Sequence, residues 1–448
     1  MKVWNRLIAR NNLPLTLLPA ALLALPVLLF DLCNLRAILR FFHLSANDGD
    51  SWNAMRSAWT WFATPHQGNL YQQVFFAGHI KFQYPPSSLL LFKVASVFHL
   101  ELTNRFLNAI DYAIFCIEAA AVGYVTYVAV RKLAPPDNQI RRQTSWTNWA
   151  AAIAATLLTL DFGPALVAAA IGQVQTWLNS FFVIACLCWL KDRRFFAGLC
   201  IGAICILKPQ FALFALWGVL RKERSFLAGW AVVILPVTAI SLAVFGVANH
   251  LDYLPALQFM SRHGEVYYTN ESMNGLLNRF IGNGNSAILH LDAFPPFQPV
   301  VYAGTLISSI AILAAALLYR ARSRRTNALD FSIAGLSFTL ASPIAWNHHY
   351  GFLPVVLLLA AVSLAAIASR LKRGALACAL VVLWALQGHW VPPPDSLHTG
   401  FRTLVQSTVF LACLGALGML YYLRDTYADR IAPRLEQTIV AEPKFRTN

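Results

Sequence analysis

Apolar residues fall along this chain in unbroken blocks, with no alternation of period two and few one-sided stripes. Leu13 to Leu29, Phe226 to Val247, Val300 to Leu318 and Thr403 to Leu423 contain no charged residue. Each approaches the ~20 residues that a helix needs to cross a hydrocarbon core. Further apolar segments at 104–130, 149–161, 173–190, 328–341, 352–369 and 374–390 continue the pattern. Three pieces are too short to cross. Residues 84–98 are expected to dip in and return or to lie at the interface. Residues 195–207 and 209–220 meet at Lys208-Pro209 and have basic flanks, so they read as a broken, re-entrant pair with its tip inside the membrane. Irregular backbone at that depth is tolerated only where it lines a protein or water-filled cavity. The pattern predicts an all-α polytopic membrane protein of about ten spans plus two partial insertions.

Charge orients this path. Lys and Arg total 35 against 20 Asp and Glu, a formal net charge of +15. They cluster between apolar blocks: Arg131, Lys132, Arg141 and Arg142; Lys191, Arg193 and Arg194; Arg221, Lys222 and Arg224; Arg320 to Arg325; Arg370 to Arg373. That is the positive-inside distribution of a membrane protein, and it implies contact with lipid headgroups rather than with nucleic acid. Both termini are then cytoplasmic, in a plasma (inner) membrane. The first apolar run reads as a retained helix, because it is long and lacks a clear small-residue cleavage site. The divisions that follow are a first transmembrane helix at 1–31, a first external loop at 32–83 and a transmembrane core at 84–247. A second external loop at 248–299, C-terminal helices at 300–423 and a cytoplasmic tail at 424–448 complete them. Seven of the eight Cys lie in apolar segments and no CxxC pair occurs, so neither a disulfide framework nor a zinc site is indicated.

On this topology the polar motifs converge on the outer face. Asp48-Gly49-Asp50-Ser51-Trp52 follows the first helix, where two carboxylates suit acid–base chemistry and the bland alternative is a solvated turn. Lys208, in the middle of a hydrophobic hairpin, reads as a phosphate ligand, with snorkelling to an interface as the alternative. Gly172-Gln173 sits at an outer turn. Ser342-Pro343-Ile344-Ala345-Trp346-Asn347-His348-His349-Tyr350 lies where one helix leaves the membrane. Its paired histidines lack HxxxH or carboxylate spacing, so hydrogen bonding to phosphate or sugar is preferred to metal. Asn270-Glu271-Ser272, Gly275 and Arg279 form a further patch, readable as a sugar- or phosphate-contacting loop or as an ordinary capped helix. The sequon within it is a weak pattern. His263 and Glu265 are lesser candidates. Trp52, Trp59, Trp61, Tyr71, Phe75 and Phe76 read either as sugar-stacking faces or as an interfacial aromatic belt.

The order of these motifs resembles glycosyltransferase family 87, the polyprenol-phosphate-sugar-dependent enzymes whose best-known members are mannosyltransferases of bacterial envelopes. The similarity runs from the acidic residue after helix one through Gly68-Asn69-Leu70-Tyr71, Phe82-Gln83-Tyr84-Pro85-Pro86, Gly172-Gln173-Val174-Gln175 and Leu207-Lys208-Pro209. It continues to Asn270-Glu271-Ser272, Arg279 and Ser342 to Tyr350. The resemblance implies a GT-C architecture, a cavity open to the outside, a lipid-linked donor and an Asp of the first external loop as base. Two Asp occupy that loop, Asp50 and Asp48, with Asp50 favoured. The expected reaction moves a sugar, mannose by resemblance, from a polyprenyl phosphate to a glycolipid or glycan acceptor with inversion. Lys208, His348, His349 and Arg279 are expected around the phosphate, and Gln173, Asn270, Tyr84 and Trp52 around the donor. No metal or other cofactor is called for. A transporter or flippase of lipid-linked sugars is the rival reading, since broken helices and a mid-membrane Lys fit it too, although no internal repeat is visible.

Overall fold

The computed structural model describes residues 49–65, 68–133, 138–319, 326–367, 369–388 and 400–430. The first apolar run, Asp48 and most of the tail lie outside these residues. Helix α1 (Asp50–Ala63) leads into the loop expected at the first external position, and α2 (Leu90–Val97) is the short apolar piece. Helices α3 (Asn104–Leu133), α4 (Asn138–Leu160), α5 (Gly163–Ala170) and α6 (Gln175–Leu190) follow. Next come α7 (Arg194–Leu207), α8 (Leu213–Arg221), α9 (Arg224–His263) and α10 (Met273–Phe280). The last are α11 (Pro299–Leu318), α12 (Ala328–Leu340), α13 (Leu353–Ser363), α14 (Arg370–Gly388) and α15 (Thr408–Arg430). Helix is the only regular structure among the described residues, apart from one isolated bridge between Asn270 and Trp346.

Five helices are long and apolar enough to cross a membrane, within α3, α9, α11, α14 and the segment Thr403–Thr426. The pair Trp146–Leu160 and Gly163–Ala170, bent by 55°, makes a sixth if taken as one span. Among the shorter apolar helices, α6, α7 and α12 pack inside the bundle. Their burial comes from neighbouring helices: the main core joins Phe182, Trp189, Phe214, Trp217, Phe226 and Phe331 into one aromatic cluster.

Two elements run further than the apolar pattern suggested. Helix α9 continues from the expected stop at Val247 to His263, through a kink at Gly246, where φ is 77° and only Gly is unstrained. At 1.5 Å per residue its 40 residues exceed any bilayer core. The polar residues that end the apolar run serve the loop beside it. Asn249 accepts the Leu70 amide at 2.8 Å, and Asp252 accepts those of Tyr71 and Gln72 at 2.7 and 3.0 Å. Likewise α15 carries Arg424, placed by sequence at the start of a tail, into the bundle. There it meets Asp330 at 2.9 Å, while Arg221 takes the other Asp330 oxygen at 3.0 Å. All three side chains are buried.

A second, smaller core lies around α1. Trp52, Tyr71, Phe75, Phe82 and Tyr253 pack there, so these rings hold the loop 68–85 onto the C-terminal part of α9.

Candidate active site

A cavity of about 790 Å³ opens between α1, the α5–α6 turn, the α7–α8 break, the C-terminal part of α9 and the segment 342–349. Asp50, Tyr84, Gln173, Lys208, His348 and His349 all face it. Five segments far apart in sequence thus deliver six of the ten anticipated residues to one space.

Asp50 is the first residue of α1, where a carboxylate is favoured by the helix dipole. Gly49 offers no side-chain cap. The free amides of that first turn are met from the α5–α6 turn instead: Asp50 N–H donates to Ile171 O at 2.9 Å and Ser51 N–H to Gly172 O at 3.2 Å. The Asp50 side chain is exposed to the cavity and accepts a hydrogen bond from Gln173 Nε2. Trp52, two residues on, is fully buried and does not line the cavity. Its indole donates to Asp111 Oδ2 at 3.1 Å, and the indole of Trp177 donates to Asp111 Oδ1 at 2.6 Å.

Lys208 ends α7 because the following Pro209 excludes αR backbone at the preceding residue, here at φ −133° and ψ 89°. The break swings the side chain into the cavity, where Nζ donates to Gln175 Oε1, and Gln175 Nε2 donates to Asn179 at 2.7 Å.

The histidines sit on the short turn Asn347–Tyr350. Burial first, and then the neighbouring Lys208, push the His348 imidazole down to about 3, and His349 shifts the same way for the same reasons. Both rings are therefore neutral at physiological pH and act through hydrogen bonds rather than charge. Neither His348 Nε2 nor His349 Nδ1 has a partner among the described residues.

Asn270 and Arg279 are buried outside the cavity lining. The Asn270 amide donates to Glu265 O at 2.8 Å, and its carbonyl accepts the Ala345 N–H at 2.9 Å. Glu271 N–H donates to Ala345 O, Ser272 Oγ to Pro343 O and Tyr350 OH to Glu271 O, at 2.8, 2.8 and 2.6 Å. Arg279 donates to Tyr267 O, Asn270 O and Ser407 Oγ, the last at 2.6 Å. The two motifs, some seventy residues apart, form one backbone bracket that holds the histidine turn against the cavity.

Sequence reasoning passed over Ser51 as a functional residue, and Gln83, Gln210 and Thr269 on the cavity wall. Lys81, which also lines it, pairs with Glu265 at 2.7 Å and lies 4.3 Å from the centre of the Phe294 ring. Ser51 had a visible signal in its place beside Asp50, and Gln83 in its place beside Tyr84; Gln210 and Thr269 had none. Among the described residues no three of His, Cys, Asp and Glu come together as metal ligands.

The geometry offers an exposed carboxylate, an inward-facing lysine amine and neutral hydrogen-bonding rings around a cavity whose lining is largely apolar. Comparison with known proteins returns no matching curated protein and no matching solved structure. It does return a family: the family model for glycosyltransferase family 87 matches residues 82–343, more than half the chain, spanning Tyr84, Gln173, Lys208 and Asn270 to Arg279. With its apolar helices, the chain is thus a membrane glycosyltransferase, a member of glycosyltransferase family 87.

Proposed function

We propose that the protein transfers a sugar, mannose in the first instance, from a polyprenyl phosphate to a hydroxyl of a glycolipid or glycan. The reaction takes place at the outer face of the plasma (inner) membrane, within a GT-C scaffold of about ten spans. The observation that carries this reading is that Asp50 and Lys208 face one cavity whose wall is largely apolar, with Leu213, Leu257, Leu291 and Leu313 among its lining. An isoprenoid chain suits that wall, and an ammonium inside a hydrophobic hairpin suits a phosphate at its head.

In this scheme Asp50 takes the acceptor hydroxyl proton as the acceptor oxygen bonds to the anomeric carbon. The bond from that carbon to the phosphate oxygen breaks, and polyprenyl phosphate leaves with its electron pair. Lys208 stabilises the developing phosphate charge, while the neutral His348 and His349 rings hydrogen-bond phosphate or sugar. One base and one displacement give inversion. Because the leaving group is a lipid phosphate, the scheme needs no nucleotide and routes no step through a metal. Arg279, Asn270 and Trp52 contribute by holding the surrounding segments.

The test is turnover of purified protein with polyprenyl-phosphate mannose and extracted membrane lipids, read as a mass-shifted product. Asp50→Asn should lower transfer by ~10²–10⁴-fold with donor binding unchanged. Wild-type turnover in Asp50→Asn would remove Asp50 from the chemistry and pass the role to Asp48.

A further inference from the structure

We infer that Tyr84 and Ser51 are positioning residues: through Gln173 they form a hydrogen-bonded relay that decides which amide atom meets Asp50. The inference rests on the reading of Asp50 as the base. It assigns Tyr84 and Gln173 to the base, whereas the sequence placed them at the donor.

The relay is built from buried and part-buried contacts. Ser51 Oγ donates to Gln173 Oε1 at 2.5 Å, lies 2.7 Å from Tyr84 Oη and accepts the Val174 N–H at 3.2 Å. Tyr84 Oη also lies 3.4 Å from Gln173 Oε1. A serine has one proton to give. Either Ser51 gives it to Gln173 while Tyr84 donates to Ser51, or Ser51 gives it to Tyr84 while Tyr84 donates to Gln173. Both arrangements send an O–H into Gln173 Oε1 and leave Nε2 turned toward Asp50, to which it donates.

Inversion of the amide would set a carbonyl oxygen against an ionised carboxylate, which only accepts. The tyrosine keeps its proton, because burial raises its hydroxyl well above the ordinary range and the nearby Asp50 charge adds to the rise. The ring itself is fixed at its backbone: Tyr71 OH donates to Tyr84 O at 2.5 Å, and Tyr253 OH donates to the adjacent Gln83 O at 3.0 Å. Ser51 and Gln173 are 2% and 6% exposed, so water is a poor substitute for a missing member. The relay thereby favours the ionised carboxylate and points it into the cavity.

The experiment uses full-length protein, with polyprenyl-phosphate [¹⁴C]mannose and extracted membrane lipids across pH. Tyr84→Phe and Ser51→Ala should each lower kcat about tenfold, and Gln173→Leu about a hundredfold. In each, the acid limb of the rate profile should move to higher pH while the donor KM stays within about twofold. Ser51→Thr, which keeps the hydroxyl, should restore the limb. A raised donor KM with an unmoved limb would show that Tyr84 and Gln173 touch the donor, and the relay is then wrong.

A second measurement needs no turnover. Water-soluble carbodiimide labels protonated carboxyls, so Asp50 labelling against pH, read by mass spectrometry, should shift upward in Tyr84→Phe and Gln173→Leu. Coincident midpoints in wild type and variants overturn the inference. Asp50→Asn separates the two ideas: full activity there defeats the base assignment, and the labelling midpoints still decide the relay.

Discussion

Gly198 on α7 and Gly229 on α9 offer a perturbation far from the cavity with a calculable effect on it. The helices approach so closely that a Cβ built at Gly198 would lie 2.0 Å from Phe226 O, and one at Gly229 would lie 2.0 Å from Phe195 O. Real Cβ contacts essentially never fall below 3.0 Å, so either alanine forces a separation of at least 3.0 − 2.0 = 1.0 Å against backbone that cannot rotate away. Small residues allow this approach between membrane helices, and the methyl removes it. Lys208 is the residue just beyond α7, and its side chain must meet whatever lies opposite Asp50. A misplacement of ~1 Å costs about 10²-fold in rate, and overpacking costs ~1–3 kcal/mol of stability. Gly198→Ala and Gly229→Ala should each show both effects, and the double variant should cost less than the sum because both methyls press on one interface. Gly418→Ala is the control: nothing lies within 4 Å of its built Cβ, and it should melt and turn over as wild type. Detergent-solubilised protein would be followed by tryptophan fluorescence on heating and by transfer rate. Wild-type melting and turnover in both glycine variants would refute the close packing and its link to Lys208.

Lys208→Met keeps apolar bulk but should lose ~2.7–4 kcal/mol of barrier lowering, read as kcat with polyprenyl-phosphate mannose, whereas Lys208→Arg should retain part of it; equal turnover in Lys208→Met moves the phosphate site elsewhere. Asp330→Asn leaves Arg221 and Arg424 buried without their shared carboxylate and should destabilise by ~3–5 kcal/mol, seen as a lower unfolding temperature. Glu271 is held at about 7, above its ordinary 4.5, by burial, against the opposing pull of Arg279 and the Phe410 amide. The native state therefore binds that proton more tightly, and the stability it confers is complete below 4.5 and gone once pH passes about 7. Unfolding temperature should accordingly fall across that window in wild type, and the fall should shrink in Glu271→Gln; parallel profiles would count against it.

Much of the site was legible before any coordinates. Lys208 stands out because it sets a charge where hydrocarbon is expected, Asp50 and the histidine pair because they are polar clusters where the apolar runs end, and Pro209 announces the helix break locally. What each motif touches was not legible. Asn270-Glu271-Ser272 and Arg279 look like ligands in a linear reading, since buried brackets and binding loops draw on the same polar residues; only the bonds to Pro343, Ala345 and Ser407 tell them apart. The C-terminal end of α9 was hidden for a similar reason: Asn249 and Asp252 break the apolar run, and their role as acceptors for Leu70 and Tyr71 depends on residues nearly two hundred positions away.

The amino-acid sequence by itself determined the solvent and the secondary structure. Long uncharged blocks leave a backbone in hydrocarbon little choice but the helix. It also carried the family, as the match of the family model over residues 82–343 shows. The tertiary structure decided which polar residues face the cavity and which lock the helices, as the Asp330 pair with Arg424 and the contact of Ser51 with Gln173 show. Those partners are brought together by helix packing, and packing is a property of whole surfaces meeting, which no local pattern of residues encodes.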